Sequence, residues 1–297
     1  MTIYNLGSIN LDHLYQVDHL VRPGETLTSS DFQTVLGGKG ANQSIALAKA
    51  GARVCHIGAI GRSDDWVLNL MGTAGVDTSA IAQLEGASGH AIIQLDREAE
   101  NAIILFPGAN HRLTENHIRS ALKGAGKGDW LLLQHETNGL AEAMNIARQE
   151  GMKVAYNPAP MVVTEARPLI DKVDLLIVNE VEAMDLTATS TAEQAEAALR
   201  ADFPQLQILL TLGKAGVVYL GPQGRLHQPA FIVEAVDTTG AGDTFIGFSL
   251  AALMSGASPE QAMRQGAAAS ALCVTRLGAS TSIPSLPEVE RFLTQQE

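Results

Sequence analysis

The chain alternates short apolar runs with longer segments whose apolar residues recur at helical spacing. Residues 2–8 open as a buried strand, and further apolar runs near 54–59, 130–134, 153–156, 173–178 and 207–212 read as core strands. Between them lie helical patterns over 41–50, 64–74, 114–123, 138–150, 165–170 and 191–201, with Gly51 and Gly75 as stops for the first two. Strand and helix taking turns in this way predict parallel βαβ units. The last third differs. Strands near 216–220 and 225–235 precede helices over about 241–255 and 259–276 and a terminal helix after Pro287. Alanine dominates 266–273, which fits close helix packing.

Two stretches break the core pattern. Residues 13–36 mix polar and apolar positions at a short period around a Pro23-Gly24 turn. Residues 90–96 and 102–106 read as a hairpin around the polar tip 97–101. Both are expected to be exposed strands, insertions at about 13–36 and 89–106 that meet as a small lid on a single domain spanning 1–297. Neither a linker nor a repeat of 20–50 residues divides the chain.

Composition narrows the picture. Of 297 residues, 46% are hydrophobic but only 4% aromatic, so Leu, Val, Ile and Ala must fill the core. The formal net charge of −12 speaks against a nucleic-acid or anionic-membrane partner. The two cysteines, Cys55 and Cys273, form neither a metal spacing nor a disulfide framework, which fits a reducing cytoplasm. The first residues have neither a basic start nor a long apolar stretch, and no run of ~18 apolar residues exists, so neither a signal peptide nor a membrane span is expected. The eight histidines show no metal-ligand spacing, and no G-x-S-x-G elbow is present.

Candidate chemistry concentrates at strand ends, where α/β sheets bind ligands. Asn10 and Asp12 follow the first strand. Residues 236–245, VDTTGAGDTF, leave a strand, turn on Gly240 and Gly242 and open a helix. A helix start offers unpaired N–H groups to an anion, and glycine allows close approach. Asp243 falls in that first turn, as phosphoryl transfer requires of a carboxylate facing an incoming hydroxyl. A lone Asp there usually caps the helix; two glycines, two threonines and Asp237 beside it favour function. Residues 37–43, GGKGANQ, match neither a Walker A loop nor a dinucleotide fingerprint. Their glycines could face a polar ligand, and the Asn42 amide suits vicinal hydroxyls, but an ordinary strand-to-helix turn explains them equally well. Asn179 and Glu182, three apart, suit a hydrated Mg²⁺ or a simple cap. Thr211, Gly213, Lys214 and Gly216 form a glycine turn that borders a nucleotide or merely closes a hairpin. Glu136 ends a strand, where it either accepts sugar hydroxyls or is solvated.

Taken together and in this order, GSINLD at 7–12, GGKGANQ at 37–43, PGAN at 107–110, NPAP at 157–160, NEVEA at 179–183, TLGKAGV at 211–217 and VDTTGAGDTF at 236–245 resemble the ribokinase-like (PfkB) sugar kinase family over essentially the whole chain. The last motif is the most specific. The resemblance implies a three-layer α/β/α sandwich with a mostly parallel sheet and a β lid, and ATP-dependent phosphorylation of a primary sugar hydroxyl, with D-ribose O5 the first choice. Another pentose, a hexose such as fructose, a nucleoside, or a sugar sensor without turnover are the alternatives. It further implies that Asn10, Asp12, Gly38, Lys39, Gly40, Ala41, Asn42 and Glu136 hold the sugar. Asp243 would be the base, and Gly240, Ala241 and Gly242 the anion hole. Asn179, Thr211, Gly213, Lys214, Gly216, Gly242 and Ala267 would border ATP. Glu182 would act on Mg²⁺ through water. K⁺ would take Asp237, Thr239, Cys273, Arg276, Gly278 and Ser282, Cys273 through its carbonyl, so that its thiol need not matter. A homodimer through the lid is implied as well. His135, before Glu136, and Ala267 depart from relatives and bear on which substrate is used.

Overall fold

The computed structural model describes residues 1–296 other than Ala99 and Gln223. The predicted hairpin tip 97–101 therefore lies partly outside the described residues. The central sheet has nine strands: β1 (Ile3–Leu6), β4 (Val54–Gly61), β5 (Ile81–Leu84), β8 (Trp130–Gln134), β9 (Lys153–Asn157), β10 (Leu175–Asn179), β11 (Gln207–Thr211), β12 (Val217–Gly221) and β13 (Gly224–Gln228), in the order β13-β12-β11-β10-β9-β8-β1-β4-β5. All neighbours pair parallel except β11–β12 and β12–β13. Every residue of β4 and β8 is buried, as expected of parallel strands covered on both faces.

Helices α1 (Lys39–Lys49), α2 (Trp66–Thr73), α8 (Ala241–Met254), α9 (Pro259–Val274) and α10 (Leu286–Thr294) cover one face, where Ile45, Phe248, Met263 and Val289 join the core. Helices α3 (Glu115–Ala121), α4 (Leu140–Gln149), α5 (Val163–Ala166), α6 (Glu180–Thr187) and α7 (Ala192–Asp202) cover the other, through Ile118, Met144, Leu186 and Leu199. The α/β/α architecture is as expected. α8 and α1 approach so closely that a Cβ on Gly247 would meet Ala46 Cβ at 2.4 Å. That approach sets the start of α8 beside α1.

A second, four-stranded sheet, β3-β2-β6-β7, is built from β2 (Asn10–Gln16), β3 (Asp31–Gly37), β6 (Gly89–Leu95) and β7 (Asn101–Phe106). Its central pair, β2 and β6, runs parallel and the outer pairs antiparallel. Two boundaries differ from the sequence reading. β2 begins at Asn10, so Asn10 and Asp12 belong to the second sheet itself and do not merely trail the first strand. Pro23-Gly24 forms a turn as expected, closed by the Glu25 N–H on the Arg22 carbonyl at 3.0 Å, within the longer connection from β2 to β3. The strand expected over 225–235 stops at Gln228. β5 and α6 are additions, and the helix expected at 165–170 is the short α5 followed by a 3₁₀ turn, Arg167–Lys172. Among the described residues no helix is long and apolar enough to cross a membrane.

Candidate active site

Parallel strands end together, so their last residues line up on one edge. Gln134 of β8 stands opposite Asn157 of β9, and Asn179 of β10 opposite Thr211 of β11. The α8 N-terminus closes over this edge. It starts from Gly240 in the left-handed conformation (φ 75°) with no side-chain cap; the Ala241 N–H turns back to the Thr238 carbonyl at 3.2 Å, and no side chain covers the N–H groups that follow, a start suited to an anion. Asp243 sits in that first turn, half-buried. Asn42 Nδ2 donates to its Oδ2 at 3.0 Å and Gln43 Nε2 to its Oδ1 at 2.9 Å. Burial raises the Asp243 pKa; the Lys39 charge and the two amide donors pull against it, and Glu136 adds to the rise. A carboxylate held this way is a stronger base than a free one.

On one side of α8 a cavity of about 190 Å³ is lined by Lys39, Asn179, Glu182, Thr211, Gly240, Gly242 and Asp243 among others. On the other a larger cavity of about 580 Å³ has Thr211, Gly213, Lys214, Gly216, Ala241, Gly242 and Ala267 in its wall, together with Phe231, Ile232 and Val233. Thr211 and Gly242 line both. The apolar residues 230–233, expected to be strand, thus form cavity wall instead.

The residues assigned to the sugar meet from the second sheet and α1. Asp12 lies near Glu136; burial, then the Glu136 charge, pushes its carboxyl up to about 6. Gly37 passes so close to that carboxyl that a Cβ would sit 2.0 Å from Asp12 Oδ2. Glu136 accepts from the Lys39 N–H at 3.2 Å and from the Ser8 hydroxyl. Asn110 Nδ2 donates to Asn10 Oδ1 at 2.8 Å. Residues 38–42, the cap and first turn of α1, can come this near because Gly40 packs on Gly7, where a Cβ on either would approach backbone to about 2.5 Å. Gln43, Ser8 and Asn110 escaped the sequence reading as separate site residues, although all three lie within motifs it quotes. Their partners are distant in sequence.

Asn179 and Glu182 form a full capping box on α6: the Glu182 N–H donates to Asn179 Oδ1 at 2.8 Å and the Asn179 N–H to Glu182 Oε2 at 2.9 Å. One Glu182 oxygen is thereby occupied, while the residue still lines the smaller cavity. Burial raises its pKa, against the Asn179 N–H and the Lys39 charge.

Residues 237–282 form a tight knot. Asp237 Oδ1 accepts from Thr239 N–H and Oγ1 at 2.9 and 2.7 Å, and Oδ2 from the Gly278 N–H at 2.9 Å. Burial opposes ionisation there, but these donors hold the Asp237 carboxyl below its usual range. The Cys273 carbonyl already accepts from the Arg276 N–H. The thiol has contacts of its own. Thr244 Oγ1 donates to Sγ at 3.3 Å and Ser282 Oγ lies 3.0 Å away, so it ties the start of α8 to the end of α9. The Arg276 side chain points to Glu288, at 2.6 Å.

Comparison with known proteins decides the family. Residues 2–286 match the pfkB family carbohydrate kinase. The chain belongs to this family. A ribokinase of Haemophilus influenzae is 38% identical over 98% of both chains. Among solved structures, a ribokinase of Thermotoga maritima aligns over 99% of both chains with a TM-score of 0.87 at 34% identity. An Arabidopsis thaliana ribokinase, complexed with ribose and ATP, aligns over 98% of both with a TM-score of 0.87 at 29% identity. The chain is therefore an ATP-dependent sugar kinase of the PfkB family.

Proposed function

We propose that the chain transfers the γ-phosphoryl of ATP to O5 of D-ribose, with Asp243 as general base. The observation that carries this is the position of Asp243 at the start of α8. A smaller polar cavity lies on one side, a nucleotide-sized one on the other, and Thr211 and Gly242 line both. The full-length likeness to ribokinases, one of them bound to ribose and ATP, favours ribose as the acceptor.

In this reading Asn10, Asp12, Asn42 and Glu136 take the sugar hydroxyls and turn O5 toward Asp243, aided by the backbone of 38–41. The larger cavity takes the adenosine of ATP, and its polyphosphate passes between Thr211 and Gly242. The N–H groups of Gly240 and Gly242 face the γ-phosphoryl, where charge grows in the transition state, and that of Ala241 would join them on leaving the Thr238 carbonyl. Asp243 removes the O5 proton as the new O–P bond forms and the bond to the leaving ADP oxygen breaks. Lys39, which lines the smaller cavity with Asp243, supplies positive charge that favours the ionised carboxylate against its burial. Glu182, with a free oxygen in that cavity, and Asn179 suit Mg²⁺ held through water; the ion would neutralise phosphate charge. Among the described residues there is no group of three His, Cys, Asp or Glu side chains to hold a metal directly, so the fit is to a hydrated ion. The Asp237 carboxylate beside Thr239, Gly278 and Ser282 suits K⁺, which would firm the glycine turn. The Arg276 side chain is engaged by Glu288, so only its main chain is offered there.

The second sheet would act as a lid over the sugar. Its exposed Phe32, Ile103, Ile104, Leu105 and Phe106 support pairing of two lids in a homodimer. Two buried free thiols fit a cytoplasmic setting. An ADP-release assay over D-ribose, 2-deoxyribose, fructose and a nucleoside, in K⁺ and in a bulky organic cation, tests this. D-ribose should give the highest kcat/KM, and K⁺ should raise it. A nucleoside preference would overturn the ribose assignment, and equal rates in both cations would remove K⁺.

A further inference from the structure

Beneath the base lies a chain of buried amides that the proposed reaction does not itself call on. Gln43 Nε2 donates to Asp243 Oδ1 at 2.9 Å and to Asn157 Oδ1 at 3.2 Å. Gln43 Oε1 accepts from Gln134 Nε2 at 2.7 Å, and the same Gln134 nitrogen donates to Asn5 Oδ1 at 3.0 Å. Asn5 Nδ2 donates to the Gly40 carbonyl at 2.9 Å and to Ser44 Oγ at 2.8 Å. Ser44 Oγ lies 2.8 Å from His56 Nδ1, and His56 Nε2 3.1 Å from the Gly7 carbonyl. Gln43, Gln134, Asn5, Ser44 and His56 are all fully buried, so none of these groups can turn to water instead.

An amide can exchange its oxygen and nitrogen by a half-turn with little change of shape, so something must fix which end faces the base. Here main-chain carbonyls do so from two directions. The Gly40 carbonyl only accepts, so Asn5 must present its amino group there and its oxygen to Gln134. Gln134 must then present its amino group to Asn5 and Gln43 alike. Gln43 is left with its oxygen toward Gln134 and its amino group toward Asp243. From the other side Asn157 Nδ2 donates to the Ile177 carbonyl at 3.0 Å, so Asn157 also turns its oxygen toward Gln43. At the far end the Gly7 carbonyl requires the proton on His56 Nε2, so the Ser44 hydroxyl donates to Nδ1. Burial pushes the imidazole down to about 4, so it stays neutral and this tautomer persists at working pH.

We propose that Gln43 and Gln134 are positioning residues for phosphoryl transfer: the oriented Gln43 amide holds the Asp243 carboxylate in place and in its ionised form, and Gln134 fixes that orientation from the far side. The inference rests on the reading of Asp243 as base. A carboxylate drawn partly out of water resists ionisation, and a donor aimed at it counters that resistance. A carbonyl aimed at it would reinforce the resistance, so orientation sets the sign. Charged groups that share its surroundings are Lys39 on α1, Glu136 after β8 and Glu182 on α6, across the cavity. The variants below leave all three unchanged.

The test is the pH profile of kcat with saturating D-ribose and ATP for wild type, Gln43→Met and Gln134→Met. Methionine keeps the length of glutamine but donates nothing. With its donor removed, Asp243 becomes harder to ionise, so the acidic limb should move to higher pH. A shift of about one unit is expected for Gln43→Met, and a smaller one of the same sign for Gln134→Met, which lacks direct contact with the base. The KM for ATP should hold. An acidic limb unmoved in Gln134→Met overturns the relay, whatever Gln43→Met does. Should Gln43→Met fail to fold, Gln134→Met decides alone. Asp243→Asn run alongside separates the two claims: full activity there refutes the base, whereas an inactive Asp243→Asn with unmoved limbs in both Met variants refutes only the relay.

Discussion

Strands β8 and β7 are built from similar residues and meet opposite fates. β8, Trp130–Gln134, is buried at every position, and β7, Asn101–Phe106, at none. The first lies between two helical layers of the central sheet, and the second edges a sheet that leaves apolar side chains open. The contrast extends to function. Asp243 and its amide supports belong to the buried frame, while Asn10 and Asp12 ride on β2 of the open sheet. Under the proposed function, chemistry sits where the surroundings cannot shift, and recognition where a sheet can move with the ligand.

The largest effect should come from the buried frame. Asp243→Asn keeps shape but cannot accept the hydroxyl proton, so kcat should fall about 10²–10⁴-fold while sugar affinity holds. More than about a tenth of wild-type kcat would mean that another group removes the proton. The open sheet should answer differently. Asp12→Ala should weaken sugar binding about 10- to 100-fold by calorimetry, since its partners lose a charged acceptor. Acid sharpens this case. Asp12, pushed up to about 6, is protonated as pH falls through that value. Sugar affinity should drop over the same window in wild type and stay flat in Asp12→Asn. The smallest effect is in hydrogen exchange. Sugar should slow exchange a few-fold in residues 10–37 and 89–106 and hardly change it in β8 and β10, because a ligand shifts a conformation only by contacts it makes better in one state. Protection confined to 211–217 and 240–245 would mean that the second sheet does not close.

The layered fold was legible because parallel strands covered on both faces become unbroken apolar runs, as in residues 130–134 and 175–178. β5 was not: four residues at the sheet edge, IAQL, carry too little pattern. Residues 229–235 looked like strand because they are apolar, but several of them line the larger cavity, and composition alone does not separate a core from a ligand wall. The glycine turn and Asp243 were legible because a helix start needs only local residues. The amide chain was not, since Asn5, Gln43, Gln134, Asn157 and Asp243 meet only after folding. The available signal was a polar residue inside each apolar strand: Asn5 in β1, His56 in β4 and Gln134 ending β8. Such a residue needs a buried partner. Glu182 shows why the cap-or-metal choice stayed open, for it caps α6 and still faces the cavity.

Helix α8 begins from Gly240 with no side chain over its first N–H groups. A serine or asparagine cap is commonly worth about 1 kcal/mol to a helix, so the free enzyme forgoes a stabilisation that most helices take. An arriving phosphate would complete the turn. Nucleotide or inorganic phosphate should therefore do more than occupy a pocket: thermal unfolding should move upward with their concentration. A Gly240→Ser variant that capped itself would compete with the anion and respond less, at the cost of forcing a side chain into a left-handed turn beside Ala279.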